Sequence, residues 1–222
     1  MIAEDLINQM IPPLKTGDAA QQALNWMEKF RLSQLPVIDS EISYRGLISE
    51  NTILEAGDTD KKISELPLDF PDVYVSPNTH FYDVIKMAIK NNLQLVAVVG
   101  ENKKFIGVIS VNDTSSAMSQ MFASQGAGGI IILSMKERDY SLAEISRHVE
   151  SNDIKILSAY VVEDEQDSSM IKVTLKFNKS DLSRLVATFE RYNYKIIAKF
   201  QETELLSNDK ERLDLLLKYL SI

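Results

Sequence analysis

Apolar residues recur at helical spacing in some stretches of this chain and crowd into short continuous runs in others, and the succession of the two repeats. Ala20, Ala23, Leu24 and Met27 mark one face of a helix that leads into the runs Leu35-Pro36-Val37-Ile38-Asp39 and Gly46-Leu47-Ile48-Ser49. At an offset of 60 to 61 positions, Phe81, Val84, Ile85 and Ala88 mark a second helix, followed by Leu95-Val96-Ala97-Val98-Val99 and Gly107-Val108-Ile109-Ser110. A self-similarity of this length means duplicated units. Each unit is helix, strand, strand, helix: the first closes with a helix from Glu50 to Ala56 that Gly57-Asp58 ends, the second with a helix from Asp113 to about Ala123. Asp18, three before Gln21, is the expected cap of the first helix, and Asn78 that of its counterpart. Val73-Tyr74-Val75 is expected to open the second unit as a strand, and Gly100-Glu101-Asn102 to turn its hairpin. Residues 1–11 carry an amphipathic helical pattern, Leu6, Ile7 and Met10, stopped by Pro12-Pro13 and expected to dock on the repeat core.

Beyond the glycine cluster at Gly126-Ala127-Gly128-Gly129 the pattern changes. Strand 130–135, helix 141–151, strands 154–163 and 170–177, helix 181–191 and strand 194–200 give the order β-α-β-β-α-β. Leu142, Ile145 and Val149, then Leu182, Leu185, Val186 and Phe189, form stripes that cover one face of a four-stranded antiparallel sheet. Ser141 and Glu144 form a capping box, and Asn193 suits the turn after the second helix. Leu213, Leu216, Leu217 and Leu220 stripe a last helix begun near Asp209. The glycine cluster precedes a strand, whereas a phosphate-cradling loop follows one, so it is a linker. The scheme is repeat 1 at 1–66, repeat 2 at 67–123, linker 124–129, a second domain at 130–202 and a terminal helix at 203–222.

The chain's 222 residues suffice for two cores. Without cysteine there is no disulfide, no thiol nucleophile and no thiolate zinc site, which suits a reducing cytoplasm. The acidic start Met1-Ile2-Ala3-Glu4-Asp5 is unlike a signal peptide, and no apolar run reaches the eighteen or so residues of a membrane span. A soluble, unexported protein is expected. Net charge is −8, with ten basic against sixteen acidic residues through Phe122 and fourteen against sixteen after it. Neither half offers the basic face that nucleic acid or an anionic membrane requires. Catalysis has little to draw on. His80 and His148 fall on different domains in surface or boundary settings, the carboxylates show no paired spacing, and Tyr192 and Tyr194 pack around a turn.

Gly107-Val108-Ile109-Ser110-Val111-Asn112-Asp113 and, except at its last place, Gly46-Leu47-Ile48-Ser49-Glu50-Asn51-Thr52 resemble the motif that closes a cystathionine-β-synthase-type (CBS) domain. Leu35-Pro36-Val37-Ile38-Asp39 is similar to that family's first core strand. The resemblance covers about residues 1–123 and implies a pseudo-twofold pair, a Bateman-type module, whose clefts bind AMP, ADP, ATP or S-adenosylmethionine. On this basis Asp113, at a helix start, is expected to accept hydrogen bonds from ribose hydroxyls, and Ser110, with the free N–H groups of the following helix, to receive a phosphate. Ser110 capping its helix and Asp113 complementing the dipole is the structural alternative. Ser76, Asn78 and Ala97 are further candidates for the adenosyl site. Ser49 and Thr52 would form a weaker second site, because Thr52 lacks the charge.

The second domain, with Asp139-Tyr140-Ser141-Leu142 between strand and helix, resembles the ACT domain, a regulatory ferredoxin-like fold. That family commonly has glycine where Ser141 stands; the resemblance implies an effector loop at Asp139 and Ser141. Paired aromatics for stacking RNA bases are missing from Ile171 to Phe177. A CBS pair followed by an ACT domain is similar in arrangement to acetoin-utilisation-type CBS regulators. The expected fold class is therefore α+β: a CBS pair, an ACT-like βαββαβ domain and a C-terminal helix. The expected function is a cytoplasmic, non-enzymatic, homodimeric sensor that holds no cofactor. It would bind an adenine nucleotide or related adenosyl effector and pass occupancy to the ACT-like domain or an unknown target protein, with neither nucleic acid nor membrane as partner. The alternative is a structural adaptor with degenerate clefts.

Overall fold

The computed structural model describes residues 1–123 and 126–201. The expected terminal helix at 203–222 lies outside them. The chain divides into two units, Met1–Met118 and Ser119–Ile222.

In the first unit the elements are β1 (Leu14–Lys15), α1 (Ala20–Phe30), β2 (Gln34–Ile38), β3 (Tyr44–Ser49) and α2 (Glu50–Ala56), then α3 (Phe81–Lys90), β4 (Leu95–Val99), β5 (Phe105–Ser110) and α4 (Val111–Met121). The duplication holds residue by residue at a spacing of 61. In β2 and β3, Gln34 pairs with Ser49, Val37 with Gly46 and, after a bulge, Ile38 with Tyr44. In β4 and β5, Leu95 pairs with Ser110, Val98 with Gly107 and, after a bulge, Val99 with Phe105. Register is set by which side chains must be buried, so equal spacing of apolar positions gives equal pairing. Leu14 lies parallel to Val37 in β1. Its counterpart Val75 makes a single parallel bridge to Val98, so the strand expected at 73–75 is reduced to one pairing.

The segment before each repeat crosses to the other one. Asn8 bridges Val108 and Asp69, 61 positions on, bridges Leu47. The Asn8 N–H donates to the Val108 carbonyl at 2.8 Å, and the Leu47 N–H to the Asp69 carbonyl at 2.7 Å. Glycine permits both crossings. A Cβ on Gly46, at φ +140°, would stand 2.7 Å from the Asp69 carbonyl oxygen, and one on Gly107 would overlap the Ile7 side chain. Residues 1–11 are therefore not the expected amphipathic helix. Ala3 to Leu6 form one 3₁₀ turn, and the backbone on either side is drawn into bonds with the second repeat, Ala3 N–H to the Thr79 carbonyl and Asn8 to Val108.

Two expected helix caps also move. Asp18 does not cap α1; it accepts from the Lys15 N–H at 2.8 Å, while the N–H groups of Ala20 and Gln21 donate to the Lys61 and Thr59 carbonyls. Backbone from the inter-repeat connection thus does the work of a capping side chain. At α3 the cap is His80, whose Nδ1 accepts from the Tyr82 N–H at 3.3 Å, not Asn78. The turn after β4 is a 3₁₀ turn, Glu101–Lys103, with Asn102 left-handed. The core joins both repeats: Leu35, Val37, Leu47, Ile48 and Ile53 from the first, Val84, Leu95, Val98, Val108 and Ile109 from the second.

The second unit contains β6 (Ile130–Lys136), α5 (Leu142–Glu150), β7 (Ile156–Glu163), β8 (Met170–Phe177), α6 (Ser183–Arg191) and β9 (Lys195–Phe200). Its sheet has the order β7-β8-β6-β9, antiparallel throughout. Ile131, Leu133, Val173, Leu175 and Phe177 meet Ile145 and Val149 of α5 and Leu185 and Phe189 of α6 in a core of their own. Ser141 caps α5 by accepting from the Glu144 N–H, and Asn193 takes the left-handed conformation at φ 60°. His148 departs from its expected boundary setting: it is buried against Tyr192 and Tyr194, and its Nε2 has no hydrogen-bond partner among the described residues. No described helix is long and apolar enough to cross a membrane.

Gly46→Ala is expected to destabilise the protein by about 1–3 kcal/mol through overpacking, with strained φ adding to the cost. A lower midpoint in urea unfolding checks this. A pH prediction follows from the β2–β3 turn, where N–H donation from Ser43 and Glu41 and the Arg45 guanidinium hold the Asp39 carboxyl below its ordinary value. A lowered folded value stabilises above the unfolded pKa, and that stabilisation is lost as pH falls through the folded one. Asp39→Asn should therefore flatten the acid limb of a stability–pH profile and lower the neutral and alkaline plateau without changing its slope.

Candidate functional site

Two clefts in the first unit are related by the same 61-residue spacing. The larger, about 590 Å³, is lined by Arg31 and Leu32 after α1, Gln94 before β4, Ser110 ending β5 and Val111 to Asp113 opening α4, with Phe30 and the crossing segment's Asn8, Met10 and Ile11. The smaller, about 250 Å³, is lined by Ser33, Gln34, Ser49, Asn51, Asn92 and Gln94. Asn92, Ser49 and Asn51 are the counterparts of Arg31, Ser110 and Asn112. Small-molecule pockets span roughly 300–1,000 Å³, so only the larger cleft has that room.

Ser110 and Asp113 form a reciprocal cap. The Asp113 N–H donates to Ser110 Oγ at 3.2 Å, and the Ser110 N–H and Oγ both donate to Asp113 Oδ2, at 2.8 and 2.5 Å. Asn8 Nδ2 reaches the same carboxylate, at 3.1 Å to Oδ1 and 3.3 Å to Oδ2. Oδ2 is thereby saturated, while Oδ1 retains acceptor capacity. A diol gripped by both oxygens has to displace Asn8. In the first repeat, Ser49 Oγ accepts from the Thr52 N–H at 3.2 Å and lies 2.7 Å from Thr52 Oγ1. That cap carries no charge.

Of the residues singled out in the sequence, Ser110 and Asp113 thus meet in one cavity and Ser49 lines its mate. Thr52 does not line that mate. Ala97 is closed in the core, its carbonyl accepting from the Val75 N–H, and lines neither cleft. Ser76 and Asn78 are exposed on the loop before α3, Ser76 Oγ lying 3.0 Å from Thr79 Oγ1. Sequence reasoning missed Asn8 and Arg31. A motif search looks within a repeat, and Asn8 reaches the site by crossing between repeats; for Arg31 the one available signal was its alignment with Asn92.

In the second unit a cleft of about 320 Å³ is lined by residues including Lys136, Asp139, Glu144, Tyr192, Tyr194 and Lys195. Burial, with the Glu144 carboxylate as a smaller contribution, raises the Tyr194 phenol above its ordinary value. Asp139 lines this cleft; Ser141 caps α5 outside it.

Residues 63–119 match the family model of the CBS domain. The chain is 22% identical over 111 residues to the inosine-5'-monophosphate dehydrogenase of Methanocaldococcus jannaschii, covering 50% of this chain and 22% of that enzyme. It is 28% identical over 127 residues to an uncharacterized protein of the same organism, covering 50% of this chain and 42% of that one. The chain therefore spans less than half the length of either curated relative. Among solved structures, a CBS domain pair/ACT domain protein from Thermotoga maritima is similar at a TM-score of 0.50 and 19% identity, over 54% of this chain and 98% of that chain. With the family match and the duplicated register, this gives the first unit the fold of a CBS domain pair.

Asn8→Ala removes a hydrogen bond to a carboxylate, a class worth about 1.5–3 kcal/mol when well shielded. At this half-exposed site a loss near 1 kcal/mol is expected. A urea midpoint that falls with an unchanged slope is the readout.

Proposed function

We propose that this chain is a regulatory sensor that binds an adenine nucleotide or related adenosyl ligand in the larger cleft of its CBS pair. The observation that carries the reading is the convergence of Ser110, Asp113 and the start of α4 on a cavity of about 590 Å³. Met10, Ile11, Phe30 and Leu32 supply apolar surface for a flat base. Asp113 Oδ1 supplies an acceptor for a sugar hydroxyl. The start of α4 supplies the positive end of a helix dipole. The smaller cleft, of about 250 Å³ and lined by neutral polar side chains, is the weaker site. Occupancy passes to a target protein or to the second unit, which we read as an ACT-like regulatory domain with Asp139 at its effector cleft. The working form is a homodimer in the cytoplasm, without enzymatic activity of its own.

A second reading, a structural adaptor with degenerate clefts, is favoured by one specific observation. The Asp113 carboxylate is already bonded by Ser110 and Asn8, as a purely structural cap would be.

A thermal-shift panel of AMP, ADP, ATP, S-adenosylmethionine and free amino acids separates the two. A ligand at a hundred times its Kd adds about 2.7 kcal/mol, a shift of several degrees. The sensor reading expects at least one adenosyl ligand to give that shift and Asp113→Ala to abolish it; no shift across the panel supports the adaptor.

A further inference from the structure

The sensor reading leaves the charge of the ligand undecided, and the two clefts differ in a way that decides it. Arg31 ends α1 at φ 55°, ψ 46°, a left-handed conformation that crowds any Cβ and that glycine or asparagine usually fills. Sixty-one residues on, Asn92 takes nearly the same φ, 51°, after α3. The duplicated fold thus meets its backbone requirement there with an ordinary asparagine. An arginine in the other copy serves no need of the turn. Each of the two residues lines the cleft of its own side, Arg31 the large one and Asn92 the small one.

Among the described residues the Arg31 guanidinium forms no ion pair, although the Asp113 carboxylate lines the same cavity. The cavity therefore presents a free cation and, apart from it, a carboxylate, with the apolar side chains of Met10, Ile11, Phe30 and Leu32 as a third feature. A planar guanidinium with five donors matches a phosphate group by paired hydrogen bonds. S-adenosylmethionine offers it one carboxylate on a molecule whose sulfonium and ammonium leave a net positive charge, a poorer match than a phosphate dianion.

Resting on the cleft reading above, we propose that Arg31 is an anion receptor that selects a phosphorylated nucleoside over the free nucleoside and over S-adenosylmethionine. The phosphate faces Arg31, the sugar faces Asp113, and the base lies on the apolar wall. The small cleft, where Asn92 stands, lacks this selection.

The test is isothermal titration of the full chain with AMP, adenosine and S-adenosylmethionine, for the native protein, R31N and R31K. Asn92 shows that asparagine suits this backbone, so R31N is expected to fold, which its thermal unfolding checks. The expected result is AMP binding about ten- to a hundredfold more tightly than adenosine, an advantage that shrinks as salt rises. R31N should lose that advantage while keeping adenosine affinity, and R31K should keep part of it. AMP and adenosine binding equally to the native protein, or R31N binding AMP unchanged, overturns the role of Arg31 while leaving the nucleoside cleft standing. Binding of none of the three ligands to the native protein overturns the cleft reading and the anion receptor together.

Discussion

The reciprocal crossing of two chain segments is the constraint on which the first unit depends. Residues 7 and 8 lie on β5 of the second repeat, and Asp69 lies on β3 of the first. Neither repeat completes its surface with its own chain. Glycine stands at 46 and 107, in the same register position of both hairpins, where a Cβ would meet the Asp69 carbonyl in one crossing and the Ile7 side chain in the other. Because the N-terminal segment is held there, Asn8, Met10 and Ile11 become walls of the large cleft, and Asn8 becomes a partner of Asp113. Packing and site are thus set by one topological fact.

Within that shared frame the two copies have diverged in and beside their clefts. The hairpin pairings are the same, yet Asp113 answers to Thr52, Arg31 to Asn92 and Val111 to Glu50. A duplicated backbone holds the positions while individual side chains change without disturbing the core, since exposed substitutions cost little. The result is one roomy cleft with separated charges and one narrow cleft lined by neutral polar groups. Asp113 does two things at once: it closes the cap of α4 and it presents one free acceptor lone pair to the cavity. Any donor that takes more than that lone pair must work against the Asn8 contact.

The second unit is built on a simpler principle, two helices on one face of a four-stranded sheet. His148 illustrates what the helical stripe alone conceals. By spacing it lies beside Ile145 and Val149, and in the structure it is buried with them, flanked by Tyr192 at 4.0 Å between ring centroids and Tyr194 at 5.9 Å. The Glu144 carboxylate stands 3.9 Å from its Nε2, one helical turn away.

The repeat, its spacing, the strand pairs and the βαββαβ order were all legible in the sequence, because each rests on local periodicity: apolar residues every second or every three to four positions must share a face. So were Ser110 and Asp113, three apart at a strand end, where a reciprocal cap is a matter of short-range geometry. Only the tertiary structure decided the rest. The caps of α1 came from carbonyls at 59 and 61, the partner of Asp113 from residue 8, and the wall of the large cleft from both repeats and the segment before them. The named hydrogen bonds join residues between 38 and 105 positions apart, and no local pattern records them, since what brings such groups together is the burial of a common core and not the preference of any one segment.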